Sequence, residues 1–133
     1  MLYILLPFEV AAQSNNIAVH LSPEEQIWIA ENPIVTSTNN NDLVPLDFNS
    51  DGNAKGFAID YLNLVAQKVG LTIRYENASS WEKLLTGVRE QKIDIIHSLV
   101  ENSSRDIYLN FTSPYLTIPV VNFGRVGSEK IVD

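Results

Sequence analysis

The pattern of apolar and polar residues along the chain predicts three helices that alternate with strands. The first helix is expected over residues 23–31, because Ser22 and Glu25 form a capping box around a first-turn proline. Its apolar residues, Ile27 and Trp28, are expected to pack on the rest of the domain. This helix would be a short N-terminal element.

The two later helices show apolar residues at helical spacing. One is predicted over residues 57–69 and ended by Gly70, and the other over residues 81–90, opened by a second capping box at residues 79–82. Their inward-facing residues should be Ala58, Leu62, Val65 and Val69 in the former, and Trp81, Leu84, Leu85 and Val88 in the latter.

Short apolar runs between the helices predict strands at residues 34–38, 71–75, 93–97 and 117–123. A long polar loop is expected over residues 39–55. Strands that alternate with helices form right-handed β-α-β units. The chain is therefore predicted to be an α/β protein with a doubly wound, mostly parallel sheet.

Composition narrows the class of function. The chain has 133 residues and a net charge of −7, with no basic cluster interleaved with aromatics, which argues against nucleic acid as a partner. It has no cysteine and two histidines without metal-ligand spacing, and His97 is expected to satisfy a hydrogen bond at a strand end. Phosphate-loop and dinucleotide-binding glycine motifs are missing. Neither a metal nor a cofactor is expected.

The first residues carry a targeting signal. An apolar run over residues 2–8 is followed by Val10, Ala11 and Ala12, which suit signal peptidase, although a basic start is missing. Residues 1–12 are therefore predicted to be a signal peptide, with a buried N-terminal strand as the alternative. The run is too short to span a bilayer, so the mature chain is expected to be exported without inserting into the membrane.

Two loops are expected to leave the sheet at the carboxyl ends of strands, where open parallel sheets bind ligands. The first loop contains Asn40 and Phe48, and the second contains Ser98 and Arg105. If both loops emerge from the same edge of the sheet, these residues face one another. They combine hydrogen-bonding groups, one aromatic ring and one fixed cation, which suits a small anionic or polar ligand.

Each of these residues has a binding role and a structural alternative. Arg105 can hold a carboxylate through two parallel hydrogen bonds, and its alternative is an exposed arginine paired with Glu101 or Asp106. Ser98 can donate to the same carboxylate, or it can simply satisfy the backbone at the strand end. Phe48 can form an apolar wall of the site, or it can belong to the core.

Several segments together resemble the first lobe of a family 3 extracellular solute-binding protein. In chain order they are residues 44–48, 51–62, 81–96, Arg105 and residues 110–115. The resemblance implies a type II periplasmic-binding-protein-like lobe over residues 34–133, ending near the crossover to a missing second lobe. Residues 13–33 would be a leader and a short helix, similar to the segment that precedes such domains in bacterial sensor kinases.

The resemblance implies that the chain binds an amino acid or another small carboxylate in the periplasm without catalysis. Its partner would be an ABC permease or a membrane-bound kinase or cyclase module. Arg105 and Ser98 match the residues with which the family holds a carboxylate. Asn40 stands where amino-acid binders often have an acid, and Val100 replaces a frequent hydroxyl, so a carboxylate without an ammonium group is an open alternative.

Two other functions are consistent with this scaffold. One is an enzyme, either a dehydratase or a domain associated with a lytic transglycosylase, for which Glu101 would be the nearest candidate general acid. The other is a vestigial lobe that binds nothing.

Overall fold

The computed structural model describes residues 19–77, 79–119, 121, 123 and 125–127. The predicted signal peptide at residues 1–12 lies outside the described residues. Contacts divide the chain into two compact units, of which the first ends at Leu99 and the second begins at Val100. No helix in the described part of the chain is long and apolar enough to cross a bilayer.

All three predicted helices are confirmed within the first unit. They are α1 (Pro23–Glu31), α2 (Phe57–Val69) and α3 (Trp81–Arg89). Gly70 ends α2 in the left-handed conformation, with φ +85°, and its amide donates back to the last turn. The helix boundaries therefore follow the capping and glycine signals of the sequence.

Of the two predicted capping boxes, one is correct and the other is wrong. At α1, the Ser22 amide donates to the Glu25 carboxylate at 2.7 Å, and the Glu25 amide donates to the Ser22 hydroxyl at 3.2 Å. This confirms the first capping box. At α3, the N-cap is Ser80, which accepts from the amide of Lys83. The second capping box is wrong, because the residue three positions after the cap is a lysine and not a carboxylate.

Five strands form two separate sheets in the part of the chain that the structure describes. Their bounds are β1 (Ile34–Asn39), β2 (Asp42–Leu43), β3 (Asp47–Ser50), β4 (Asn53–Lys55) and β5 (Thr72–Asn77). β1 and β5 pair in parallel, whereas β2, β3 and β4 form a small antiparallel sheet in the order β2-β3-β4. The α/β class is confirmed. The segment predicted as a polar loop over residues 39–55 contains the whole of this antiparallel sheet.

Two predicted strands are not found as strands. Residues 93–97 run beside β1 but make a single parallel bridge, between Ser37 and Ile95. The described positions of residues 117–123, which are 117–119, 121 and 123, have no strand structure. The parallel sheet of the described residues is therefore narrower than the sequence predicts.

The apolar core of the first unit is formed by residues of β1, α2, α3 and the segment that follows α3. Its buried apolar residues are Val35, Ala58, Ile59, Ala66, Leu84, Val88 and Ile93. Helix α3 buries two of its predicted residues. In α2 the predicted Val65 is 42% exposed. Ile59 and Ala66 are buried in its place, so the apolar face of α2 is rotated from the predicted one.

Helix α1 lies at the surface. None of its residues is buried, and Ile27 and Trp28 are 60% and 50% exposed. Ile27 therefore does not pack on the domain as predicted, whereas Trp28 lines a cavity together with Val69 and Leu71. The second unit contains neither a helix nor a strand among its described residues, and residues 103–108 form hydrogen-bonded turns.

Candidate functional site

The parallel strand β1 is polar in its interior, which is unusual for a buried strand. Thr36, Ser37, Thr38 and Asn39 are all buried, with at most 6% of each residue exposed. The side-chain hydroxyls of Ser37 and Thr38 have no hydrogen-bond partner among the described residues. Because an unpaired buried hydroxyl is costly, this strand carries polar groups for a reason other than core packing.

A buried carboxylate lies next to the carboxyl end of β1. Asp47, the first residue of β3, is 2% exposed. Its Oδ1 accepts from the side-chain amide of Asn39 at 2.8 Å, and both of its oxygens accept from the backbone amide of Asn40 at 3.1 Å. These donors replace the water that a buried carboxylate loses. Asp47 therefore ties the antiparallel sheet to the end of the parallel strand.

The segment before Asp47 is held by the first turn of α2. The amides of Phe57 and Ala58 donate to the carbonyls of Pro45 and Leu46, at 3.1 and 2.9 Å respectively. Gly56 allows this approach: its φ is +123°, and a Cβ at this position would overlap the Leu46 carbonyl. The amides at the start of α2 are thus used for positioning Asp47.

A histidine lies on the other side of the same carboxylate. His97 is buried, and its Nε2 lies 2.8 Å from the carbonyl oxygen of Thr38. Its Nδ1 lies 3.2 Å from the hydroxyl of Ser98 and 3.7 Å from Oδ2 of Asp47. Burial lowers the pKa of His97, and the Asp47 charge opposes that shift. The expected hydrogen bond of His97 at the strand end is confirmed.

The edge of the His97 ring also meets Tyr75 of β5. The two rings are 6.2 Å apart in an edge-on arrangement. Burial raises the pKa of Tyr75 to about 12, and the nearby charges of Asp47 and Asp60 act in the same direction. Tyr75 therefore stays neutral and closes one side of the histidine site.

Three of the five predicted binding residues gather around Asp47. Asn40 donates to it directly, Phe48 follows it in β3, and Ser98 is connected to it through His97. Phe48 is only half-buried, which fits an exposed wall better than a core position. Ser98 has a positive φ of 56° at the end of the segment that runs beside β1. Their role in binding a ligand stays a prediction.

The other two predicted residues, Arg105 and Val100, belong to the second unit. One guanidinium nitrogen of Arg105 donates to the carbonyl of Val100 at 2.6 Å, while Val100 as a whole residue is 77% exposed. The backbone amide of Arg105 is capped by the side chain of Asn102 at 3.1 Å. Neither Glu101 nor Asp106 forms an ion pair with Arg105 within the described residues. The paired-arginine alternative is therefore not what the structure shows.

Sequence reasoning gave no role to Asp47 and Asn39. Both are almost fully buried, and they bond to each other across eight positions of the chain. The available signal was the polar run at residues 36–39, which begins inside the predicted strand 34–38 and continues into the predicted loop. Four polar residues in succession on a central strand indicate hydrogen-bonding partners that the pattern alone does not name.

The described residues contain no group of three histidine or acidic side chains that could hold a metal ion. Two cavities, of about 190 and 350 Å³, lie beside α1 and α3 respectively. Neither is lined by any of the five predicted binding residues. The binding hypothesis consequently depends on the hydrogen-bonding groups at the end of β1 and in the Arg105 turn.

Comparison with known proteins decides the family. The model for bacterial extracellular solute-binding proteins, family 3, matches residues 35–132. The chain belongs to this family. The match includes both units and all five predicted binding residues, so the resemblance seen in the sequence is confirmed.

Among curated relatives, this family 3 chain is similar to the virulence sensor protein BvgS of Bordetella pertussis. The two are 28% identical over 113 residues, which is 84% of this chain but only 9% of the length of BvgS. The crystal structure of the BvgS periplasmic domain matches with a TM-score of 0.67 and 28% identity, covering 73% of this chain and 19% of that one. The similarity is thus to one part of a much larger protein.

Two more distant structures share the fold. The arginine-bound form of domain 1 from TmArgBP has a TM-score of 0.58 and 22% identity, over 66% of this chain and 71% of that one. An ancestral cyclohexadienyl dehydratase has a TM-score of 0.59 and 22% identity, over 73% of this chain and 41% of that one. The predicted type II binding-protein lobe is confirmed as the fold, and the fold itself is shared by binding proteins and an enzyme.

Proposed function

We propose that the chain is a periplasmic solute-recognition module that binds a small polar carboxylate, an amino acid among the candidates. The observation that carries this proposal is the set of hydrogen-bonding groups at the carboxyl end of β1, in a chain of a solute-binding family. Open parallel sheets bind their ligands at that edge. We also propose that residues 1–12 act as a signal peptide that directs the export of the chain.

Arg105 is the proposed carboxylate anchor. A guanidinium carries five N–H donors in a planar fork, and in the described structure a single one of them donates, to the Val100 carbonyl. That bond fixes the orientation of the fork while donors remain for a ligand. The Asn102 side chain holds the turn from which Arg105 projects. This arrangement supports bidentate binding of a carboxylate.

The polar groups of the first unit are suited to a ligand that has no ammonium group. Asp47 is buried and its oxygens already accept from Asn39 and Asn40, so its charge serves the protein and not a ligand. Asn40 is half-buried and offers an amide side chain where an acid is frequent in amino-acid binders. We infer that a neutral amide contact replaces the usual ion pair with a ligand ammonium at this position.

We favour a sensory role over an importer role. The similarity to BvgS covers 84% of this chain, and that protein is a virulence sensor. A membrane-bound kinase module is therefore the proposed partner, with an ABC permease as the alternative. Reading the gene beyond Asp133 for a second lobe, a membrane span and a kinase domain tests this choice directly.

We propose binding without catalysis. An enzyme on this scaffold would need a general acid, and the nearest candidate, Glu101, is exposed to water. A general acid works best in a cleft that tunes its proton affinity and excludes solvent. Glu101 has neither a hydrogen bond nor an ion pair among the described residues, which is the state of an ordinary loop acid.

Calorimetric titration of the protein against amino acids and small organic acids tests the binding proposal. The best ligand should lose at least about tenfold in affinity in Arg105→Ala, since a charge-assisted hydrogen bond contributes about 1.5–3 kcal/mol. Arg125→Ala removes the same charge at an exposed position of the second unit and should change little. Equal effects of the two substitutions would contradict the anchor role, and thermal stability that no compound raises would favour a vestigial lobe.

A further inference from the structure

The His97 ring has more hydrogen-bond acceptors around it than a neutral imidazole can satisfy. Its two nitrogens face the Thr38 carbonyl at 2.8 Å, the Ser98 hydroxyl at 3.2 Å and the Asp47 carboxylate at 3.7 Å. A neutral imidazole has one N–H, and a protonated one has two. The position of the single proton therefore decides what each neighbour can do.

The Thr38 carbonyl determines which nitrogen carries that proton. A carbonyl oxygen can accept a hydrogen bond and cannot donate one, so the contact at 2.8 Å requires N–H at Nε2. In neutral His97 the Nδ1 atom is consequently an acceptor. The Ser98 hydroxyl is the neighbour within hydrogen-bond distance that can donate to it, at 3.2 Å. Asp47 has only lone pairs to offer and lies farther away.

We propose that His97 fixes the hydrogen-bond polarity of Ser98, so that near neutral pH Ser98 accepts a hydrogen bond from the ligand instead of donating one. A serine hydroxyl has a single hydrogen, and here it is directed to Nδ1 of His97. What remains for a ligand are the lone pairs of Oγ. Ser98 thus selects a ligand N–H or O–H group and disfavours a carboxylate oxygen.

The backbone holds Ser98 in this arrangement. Its φ of +56° lies in the left-handed region, which residues other than glycine rarely adopt. Its neighbour His97 is buried and pinned by Thr38 on one side and by the Tyr75 ring on another. The Nδ1 acceptor therefore has a fixed position, and the Ser98 hydroxyl lies 3.2 Å from it.

The charged and titratable groups that face His97 are Asp47 from β3 and Tyr75 from β5. Burial keeps the ring neutral at pH 7, since it lowers the pKa of His97 below the ordinary 6.5. Protonation at lower pH places a hydrogen on Nδ1, where it can donate to Ser98 or Asp47. The hydroxyl hydrogen of Ser98 is then released, and its polarity toward a ligand inverts.

This inference rests on the proposed solute-binding function and changes one part of it. The resemblance of the sequence to the family implies that Ser98 donates to the ligand carboxylate together with Arg105. With the Ser98 hydrogen directed to His97, Ser98 does not donate to a carboxylate and instead recognises an N–H or O–H group of the ligand. His97 acts as a positioning residue, because it is buried and acts through Ser98.

Nitrogen NMR of the full chain with ¹⁵N-labelled histidine tests the assignment without any ligand. At pH 7.5 His97 should show a protonated, pyrrole-type Nε2 and an unprotonated Nδ1 whose shift reports a hydrogen bond. Ser98→Ala should move the Nδ1 resonance toward that of a free acceptor and leave Nε2 in place. The His20→Gln variant identifies the resonances of the second histidine. A protonated Nδ1 at pH 7.5, or an Nδ1 that Ser98→Ala does not move, overturns the proposal.

Four compounds of similar size test the consequence for binding: L-alanine, L-lactate, propionate and pyruvate. Titrated into the labelled chain at pH 7.5, the two that carry a donor beside the carboxylate should bind about tenfold tighter than the two that lack one. Ser98→Ala should remove most of this preference, and the wild-type preference should narrow as the pH falls and His97 protonates. A preference that Ser98→Ala or lower pH leaves intact contradicts the proposal. If the chain binds none of the four compounds, the proposed function is contradicted instead. The nitrogen NMR spectrum of His97 then still tests the hydrogen-bond polarity of Ser98.

Discussion

The carboxylate of Asp94 accepts two hydrogen bonds from Thr36, one from its hydroxyl at 2.6 Å and one from its amide at 2.7 Å. In return, the Asp94 amide donates to the Thr36 carbonyl at 3.1 Å. One residue thus joins residues 93–97 to the beginning of β1, although the segment makes only one ladder bridge. His97, which determines the polarity of Ser98, is carried by this same segment.

Replacing Asp94 should loosen that connection. Asp94→Ala removes two charge-assisted acceptor contacts, and we expect the free energy of unfolding to fall by about 1–2 kcal/mol, since Asp94 lies at an exposed position where water competes. Urea denaturation at pH 7 measures the loss. Asp106→Ala, at another exposed position, is the matched control and should change little.

The same bonds make the Asp94 contribution depend on pH. The hydroxyl and then the amide of Thr36 lower the pKa of Asp94 below 3.8 in the folded chain. Its stabilising effect is therefore complete above the unfolded value of 3.8 and disappears as the pH falls through the folded value. The difference in stability between wild type and Asp94→Ala should accordingly shrink toward pH 3, and a constant difference would contradict this account.

Gly56 should tolerate no side chain. Gly56→Ala combines a φ of +123° with a Cβ that would overlap the Leu46 carbonyl and lie 2.9 Å from the Asp47 amide nitrogen. We expect a loss of at least about 2 kcal/mol in the free energy of unfolding. Gly70→Ala is the control, because Gly70 shares a positive φ but has open space around its Cβ position. Equal losses in the two variants would show that backbone strain alone, without the overlap, sets the cost.

The helices were predictable because residues close to each other in the sequence determine where they begin and end. Ser22 with Glu25 begins α1, and Gly70 ends α2, through contacts that span three or four positions. The buried face of α2 was harder to predict from the sequence, because apolar residues occur around much of the circumference of this helix. Only packing against β5, β4 and β3 decides that Ile59 is buried and Val65 is not.

The antiparallel sheet was missed for a different reason. β2, β3 and β4 have only two to four residues each, and they are rich in Asp, Asn and Ser, which favour turns. Their stability comes from partners that are distant in the chain. Asp47 bonds to Asn39 and Asn40, and the start of α2 binds the carbonyls before Asp47.

The candidate site was predictable in position and less so in chemistry. The rule that ligands bind at the carboxyl ends of strands placed Asn40, Phe48 and Ser98 in one region, and all three lie around Asp47. The direction of the Ser98 hydrogen bond depends on which ring nitrogen of His97 carries the proton. That choice is set by the Thr38 carbonyl, a backbone contact across 59 positions that no local pattern contains.

The buried histidine should make stability fall in mild acid. Because burial lowers the pKa of His97 below 6.5, the unfolded chain takes up a proton first as the pH decreases. The contribution of neutral His97 is fully present above pH 6.5 and is lost as the pH falls through its folded pKa. Urea denaturation between pH 8 and 5 should show this slope in wild type and in His20→Gln, and a smaller slope in His97→Gln.

The positive φ of Ser98 predicts an inverted order of stability between glycine and alanine. Ser98→Gly and Ser98→Ala both remove the hydroxyl bond to His97, but alanine keeps the left-handed strain at φ +56° and glycine does not. We expect Ser98→Gly to be more stable than Ser98→Ala by about 0.5–1 kcal/mol in urea denaturation. Ser103, an exposed serine without a positive φ, should show the opposite order, because glycine there only adds freedom to the unfolded chain. The same order at both positions would mean that Ser98 does not hold a left-handed backbone in solution.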